Sequence, residues 1–189
     1  MINYGALYFD HYTKFLGEPI DREVYKYSEE MPSIQILKYD NVFEDCLVYT
    51  TLGLSKYTEI MGDYIEISMV VDGAFNSSGY ILANTLFYCI HNQMHIGRGL
   101  AISGVENIDA AFVQKYNKSA VYFTELYAFP EEYSIACTDS NEKDGKLLLA
   151  FFISQSEYDY FATYGAEKFE DLLEEENVDP FNVSRSSVV

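Results

Sequence analysis

The hydrophobic positions divide this chain into segments of two different periods. From Ile2 to Leu16, apolar residues at Ala6, Leu7, Phe9, Tyr12, Phe15 and Leu16 recur at three- and four-residue steps before Gly17 and Pro19, which predicts an N-terminal helix. Three apolar runs follow, Ser33–Tyr39, Cys46–Leu52 and Tyr64–Val71. In the last of them Ile65, Ile67, Met69 and Val71 alternate with Tyr64, Glu66, Ser68 and Val70, the period of a strand, and Asp40-Asn41 and Gly53 supply turns between the runs. Helical spacing returns at Ile81, Leu82, Leu86, Cys89, Ile90 and Met94, behind Ser77 and Ser78 as candidate caps, so this helix is expected to cover one face of a sheet. Ala120–Phe129, Tyr133–Cys137 and Leu147–Ile153 read as strands, the last two joined through a polar stretch ending in Asp144-Gly145. Leu147–Ile153 is almost wholly apolar and is expected at the sheet centre. Ser154-x-x-Glu157 is a capping-box pattern opening a helical segment through Asn177, breakable at Gly165, with Tyr158, Phe161, Ala162, Phe169, Leu172 and Leu173 facing inward. The expected architecture is an α/β (α+β) fold in one domain over residues 1–189, with helices packed on a mixed or mostly antiparallel sheet.

Charge narrows the function classes. Twelve Lys and Arg against thirty Asp and Glu leave a formal charge of −18. Direct nucleic-acid binding needs cationic side chains that displace counterions from phosphates, so it is excluded here, and anionic membranes are disfavoured for the same reason. A basic protein partner is favoured, because a large field of one sign speeds encounter with the other. No basic leader precedes an apolar stretch and no apolar run reaches the ~18 residues of a membrane span, which leads to an expectation of a cytoplasmic protein. Cys46, Cys89 and Cys137 are odd in number and flanked by apolar residues, and they read as free, mostly buried thiols.

Candidate catalytic and metal motifs are incomplete. His91 and His95 stand four apart on the expected middle helix, but position 92 is Asn where a zinc-protease helix carries Glu, and His11 is the only further histidine. Asp139–Gly145 resembles a calcium loop, yet its glycine falls one place late and Ala150 stands where the bidentate Glu belongs, so it reads as a hairpin loop. Gly97-Arg98-Gly99 lacks the third glycine of a dinucleotide fingerprint and reads as a helix end. No serine occupies a G-x-S-x-G elbow. No catalytic, cofactor or metal site is expected. An enzyme would require a pocket that gathers scattered acids with His91 or His95.

The strongest physical feature is the C-terminal charge. Between Glu157 and Asp179 nine acids face one base, Lys168. As a continuous helix this segment would run roughly 34 Å and present an anionic ridge. Glu174, Glu175 and Glu176 crowd its C-terminal end, where the helix dipole disfavours negative charge. Stability given up there points to a use beyond solubility. The eighteen tyrosines, many of them core, include candidates to flank such a ridge.

Specific strings add a resemblance. His11-Tyr-x-x-Phe-Leu-Gly-Glu-Pro19, Tyr49-Thr-Thr-Leu-Gly-Leu-Ser55 and Tyr64-Ile-Glu-Ile67 resemble the suppressor-of-fused domain family. Ile153-Ser-Gln-Ser-Glu-Tyr158, Gly165-Ala-Glu-Lys-Phe169 and Asp179-Pro-Phe-Asn-Val-Ser-Arg185-Ser-Ser-Val-Val are similar to its bacterial branch. The resemblance implies an α/β domain that binds proteins without catalysis. Bacterial members resemble immunity proteins against nuclease domains of polymorphic or LXG-type toxins, and eukaryotic members grip an extended peptide of a transcription factor. The family strings are expected to be scaffold, with Gly53 and Ser55 shaping a turn and Arg185 packing back on the domain. The first expectation is therefore a cytoplasmic immunity protein, or antitoxin, that binds a cognate toxin, a DNase, and blocks its basic face. Glu170, Asp171, Glu174, Glu175, Glu176 and Asp179 are the expected contacts, with Tyr160 and Tyr164 as anchors. The alternative is a non-catalytic regulatory scaffold that takes an extended peptide of a host regulator onto a sheet edge.

Overall fold

A computed structural model describes residues 2–72, 77–137 and 143–189. In chain order the elements are α1 (Tyr4–Leu16), β1 (Asp21–Tyr25), β2 (Ile34–Tyr39), β3 (Cys46–Leu52), α2 (Thr58–Met61), β4 (Ile65–Asp72), α3 (Ser78–His91), β5 (Leu100–Ser103), α4 (Ala110–Tyr116), β6 (Ala120–Thr124), β7 (Ile135–Ala136), β8 (Gly145–Ile153), α5 (Gln155–Tyr164) and α6 (Ala166–Glu175). The architecture is α/β, built on one mixed sheet ordered β1-β2-β3-β4-β8-β6-β5, with β7 paired to the start of β8. β4 and β8 are parallel and every other pair is antiparallel.

The alternation along the strands sorts side chains onto two faces. Ile65, Ile67, Met69 and Val71 of β4 join Val121 and Phe123 of β6 under α3 and α4, which contribute Ile81, Leu82, Leu86, Cys89, Ile90 and Phe112. Val70 of β4, Tyr122 of β6 and Leu149 and Phe151 of β8 face the other way, under Tyr8 and Tyr12 of α1 and Phe169 of α6. The near-continuous apolar run of β8 follows from its central place, covered on both faces. Several tyrosines are core residues whose hydroxyls are satisfied by backbone or side chains, as burial requires. Tyr8 donates to Tyr64 O at 2.8 Å and Lys146 O at 2.9 Å, Tyr12 donates to Thr51 O at 2.9 Å, and Tyr133 lies 2.9 Å from Ser68 Oγ.

The structure differs from the sequence reading at definite places. β1, β5 and α4 are additional elements. The expected strand Ala120–Phe129 ends at Thr124, and Tyr127 N–H turns back to Glu125 O at 3.1 Å. Ser77 occupies the N-cap of α3 but its side chain makes no capping bond, and the helix ends at His91 with Asn92 as its C-cap, before Gly97. Ala162 is exposed rather than inward, and of the three free cysteines Cys89 is buried, Cys46 half-buried and Cys137 exposed. The calcium-like loop falls largely on residues 138–142, outside the described residues. Among the described residues no helix is long and apolar enough to cross a membrane.

Candidate functional site

The acidic C-terminal segment is two helices, not one. Ser154 caps α5 through a complete capping box with Glu157, and Gly165 closes it at φ 87° and ψ 171°, a backbone region open essentially to glycine alone. The chain restarts there as α6, and the aromatic contacts Phe161–Phe169 (6.3 Å) and Tyr122–Phe169 (5.1 Å) fold both helices onto the sheet. The 34 Å ridge is thus replaced by two ten-residue helices. Each spans about 15 Å. The last turn of α6 carries no base, and it ends in a full Schellman motif. Asn177, at φ 50°, donates to Glu174 O at 2.9 Å, and Val178 donates to Leu173 O at 2.9 Å.

Where β6 stops at Thr124, the chain's departure opens a cleft of about 540 Å³ between the sheet, α6 and the residues after it. Buried Tyr122 and Phe151 and half-buried Leu173 form its base, half-buried Val178 and Pro180 line it further along the chain, and the exposed Glu125, Tyr127, Asp171 and Glu174 form its rim. Glu170 points into it and is fully engaged. Oε1 accepts from Tyr122 (3.0 Å) and Thr124 (2.8 Å), and Oε2 accepts from Arg98 Nε (2.9 Å) and Nη2 (2.6 Å). Partial burial opposes its ionisation, but the Arg98, Thr124 and Tyr122 donors hold its carboxyl below the usual range. The carboxylates of Asp171, Glu174 and Glu125 accept no hydrogen bond among the described residues, and all three residues are exposed.

The wall beyond α6 is fixed by the C-terminal strap. Asp72 N–H donates to Phe181 O and Asp72 Oδ1 accepts from Val183 N–H, both at 2.9 Å, and Val183 is buried. Arg185 then reaches Glu157, whose carboxylate also takes Ser154 N–H at 2.8 Å and Val188 N–H at 3.3 Å. Lys118 Nζ donates to Arg185 O at 2.8 Å. Burial and the adjacent Arg185 charge lower the Lys118 amine to about 8, while Glu157 draws it the other way. Burial opposes ionisation of Glu157 too, but Arg185 and the Ser154 N–H hold it below its usual value. Arg185 does pack back on the fold, as the sequence suggested.

Of the residues singled out in the sequence, Glu170, Asp171 and Glu174 come together at the cleft, whereas Glu175, Glu176, Asp179, Tyr160 and Tyr164 lie outside its lining. Tyr160 and Tyr164 meet with tilted rings at 4.5 Å between centroids, and Lys168 sits 5.7 Å above the Tyr164 ring. Two of the nine acids are not a free anionic surface: Glu157 is buried on Arg185 and Glu170 is paired with Arg98. Arg98, Thr124, Glu125 and Tyr127 escaped the sequence reading. The cleft gathers acids but neither His91, which lies 5.5 Å from Tyr27, nor His95. Among the described residues no three His, Cys, Asp or Glu side chains are placed to hold a metal ion.

A second carboxylate organises the turn that follows β3. Glu66 is fully buried, and it accepts from Thr51 Oγ1 (2.6 Å), Ser55 Oγ (2.8 Å) and the N–H groups of Gly53 (2.8 Å), Leu54 (3.2 Å) and Ser55 (3.1 Å). Gly53 sits at φ 115°, and a Cβ there would stand 2.7 Å from Ser33 O, so the turn demands glycine. The string Thr-Leu-Gly-Leu-Ser is therefore a carboxylate-binding turn and a scaffold feature.

With this sheet, strap and turn in place, the class is defined: the suppressor of fused protein (SUFU) family model matches residues 30–186, and the chain belongs to that family. Immunity protein YqcF of Bacillus subtilis (strain 168) is 29% identical over 182 residues, covering 93% of this chain and 91% of that protein. A suppressor of fused homologue from Neisseria gonorrhoeae FA 1090 shares the fold with a TM-score of 0.75 at 18% identity, over 99% of this chain and 97% of that one. Drosophila Suppressor of Fused matches with a TM-score of 0.62 at 11% identity, over 98% of this chain and half of its own.

Proposed function

We propose that this chain is an immunity protein that acts in the cytoplasm by binding, not catalysis, and neutralises a cognate toxin. The observation that carries this reading is the near end-to-end similarity to immunity protein YqcF. The toxin is a polymorphic, LXG-type protein with a DNase domain. A nuclease groove lined with Lys and Arg is the natural complement of a protein with charge −18. Glu170, Asp171, Glu174, Glu175, Glu176 and Asp179 form the contact region, with Tyr160 and Tyr164 as anchors at its margin; Glu170, held by Arg98, shapes the region, and the exposed carboxylates of the others occupy the groove as substitutes for phosphates. The tagged chain, used as bait in the source cells, is expected to retain a basic nuclease domain at low salt and to lose it at high salt. Retention of a transcriptional regulator instead, or of nothing at either salt, contradicts the reading.

One observation favours the scaffold alternative. Among the described residues β1 pairs only with β2, which leaves its outer edge open, and Val24 within it and Tyr27 just after it are more than half exposed. An extended peptide of a host regulator could add there as a further strand. The same capture experiment separates the two.

A further inference from the structure

Resting on the immunity reading, we infer that the cleft beneath α6 is the anchor point of the interface and that its occupant is one arginine side chain projecting from the partner. What distinguishes this place from the rest of the acidic surface is its floor. Tyr122, Phe151 and Leu173 give an apolar base, and Tyr127, 61% exposed, offers a ring at the rim. Isolated exposed acids elsewhere offer a cation only Coulomb attraction that water and salt screen. A slot with aromatic and aliphatic sides also takes up the stem and the flat face of a guanidinium. The volume of about 540 Å³ falls in the ordinary range of ligand pockets, about 300–1,000 Å³.

The cleft already shows how it treats a guanidinium. Arg98 of the chain itself enters from one side and places two nitrogens on Glu170, whose other oxygen is held by Tyr122 and Thr124. Glu170 is thereby saturated and acts as a positioning residue. The carboxylates left for an incoming cation are Asp171 and Glu174, which no side chain among the described residues hydrogen-bonds, and Glu125, which shares the field of Arg98 without a direct bond to it. Arginine suits them better than lysine, because a planar, weakly hydrated guanidinium can stack on Tyr127 while it donates along two directions, and an ammonium cannot. The Schellman turn at Asn177 and the strap held by Arg185 keep the Val178–Pro180 wall in place, so the slot is formed before the partner arrives.

The test uses isotope-labelled protein and three capped pentapeptides, Gly-Ser-X-Ser-Gly, where X is arginine, lysine or citrulline. The arginine peptide is expected to shift amides of residues 122–127 and 171–178 in a saturable way, with a Kd in the millimolar range appropriate to one exposed ion pair plus one cation–π contact. Lysine should bind several-fold more weakly and citrulline, which keeps the shape without the charge, should not bind. The pair of substitutions Asp171→Asn and Glu174→Gln should weaken the arginine peptide about tenfold, while Glu175→Gln with Glu176→Gln, which removes the same charge from outside the lining, should leave it within about twofold. Equal losses from the two pairs, shifts spread over the acidic surface, or no saturable shift overturn the proposal. Its failure is distinguishable from failure of the immunity reading: a captured toxin whose binding ignores Asp171→Asn and Glu174→Gln keeps the function and discards the slot.

Discussion

Glu66→Ala is expected to destabilise the fold by about 4–5 kcal/mol, at the upper end of what a single substitution does. The side chain is fully buried and five groups on Thr51, Gly53, Leu54 and Ser55 donate to it. The Thr51 hydroxyl has no freedom to turn around, since its oxygen already accepts Ile67 N–H at 2.8 Å. Removing the carboxylate orphans three backbone N–H groups and two hydroxyls in a fully buried site. Each costs about 1–3 kcal/mol before local relaxation. Glu66→Gln should be milder, because the amide oxygen keeps the bonds from Gly53 N–H and from Ser55 N–H and Oγ, and only Leu54 N–H and the Thr51 hydroxyl, which then face the NH2, lose their acceptor. Urea denaturation reads both: the midpoint should fall strongly for alanine and less for glutamine, with the slope unchanged. A loss below about 1 kcal/mol for Glu66→Ala contradicts the role given to this turn.

Glu157→Gln should cost about 3–5 kcal/mol, because it leaves the Arg185 charge buried without its counterpart. The side chain of Arg185 is 8% exposed, and its partner is wholly buried. Exchanging both residues for methionine is expected to recover part of the loss, since a packed apolar pair replaces the ion pair while the Ser154 and Val188 N–H groups stay without their acceptor. The pH dependence has a definite sign. The Glu157 carboxyl is held below its ordinary value, so its contribution is fully present above about pH 4.5 and is lost as pH falls through the folded value. Lys118 is lowered instead, to about 8, so the folded state binds fewer protons than the unfolded one between there and the ordinary lysine value. Stability therefore rises as pH climbs through that window. Thermal melts of wild type and Glu157→Gln from pH 3 to 7 check the first part, and the two curves should converge at the acid end. Parallel curves across the whole range contradict it.

The elements legible in the sequence are those with one buried face or two. β4, β8 and α3 declare themselves because burial imposes their period, and the capping box at Ser154 is a purely local signal. β1 was not legible, since an edge strand reading Asp-Arg-Glu-Val-Tyr is exposed along almost its whole length and so has no alternation. β5, four residues between Gly99 and Gly104, and α4, seven residues, are too short for a period to emerge. At the candidate site, Asp171 and Glu174 could be read from charge density alone. The pairings that remove Glu157 and Glu170 from that surface join residues 28 and 72 positions apart, and nothing local in either segment records them. Arg98 looked like part of a helix end because its glycine neighbours were the only visible signal. Tyr127 and Glu125 were hidden inside a run whose apolar content suggested five more strand residues than the sheet accepts.

The most direct measurement of the central claim is the association rate of this chain with the captured toxin domain as a function of ionic strength. Wild type is compared with a variant carrying Glu174→Lys, Glu175→Lys and Glu176→Lys. If the acidic end of α6 guides and fills the basic groove, the wild-type rate falls steeply with salt. The variant, unchanged in melting temperature, then associates at least about tenfold more slowly at low salt with a flatter dependence. Equal rates and equal salt slopes for the two proteins would contradict the account and place the toxin on another face.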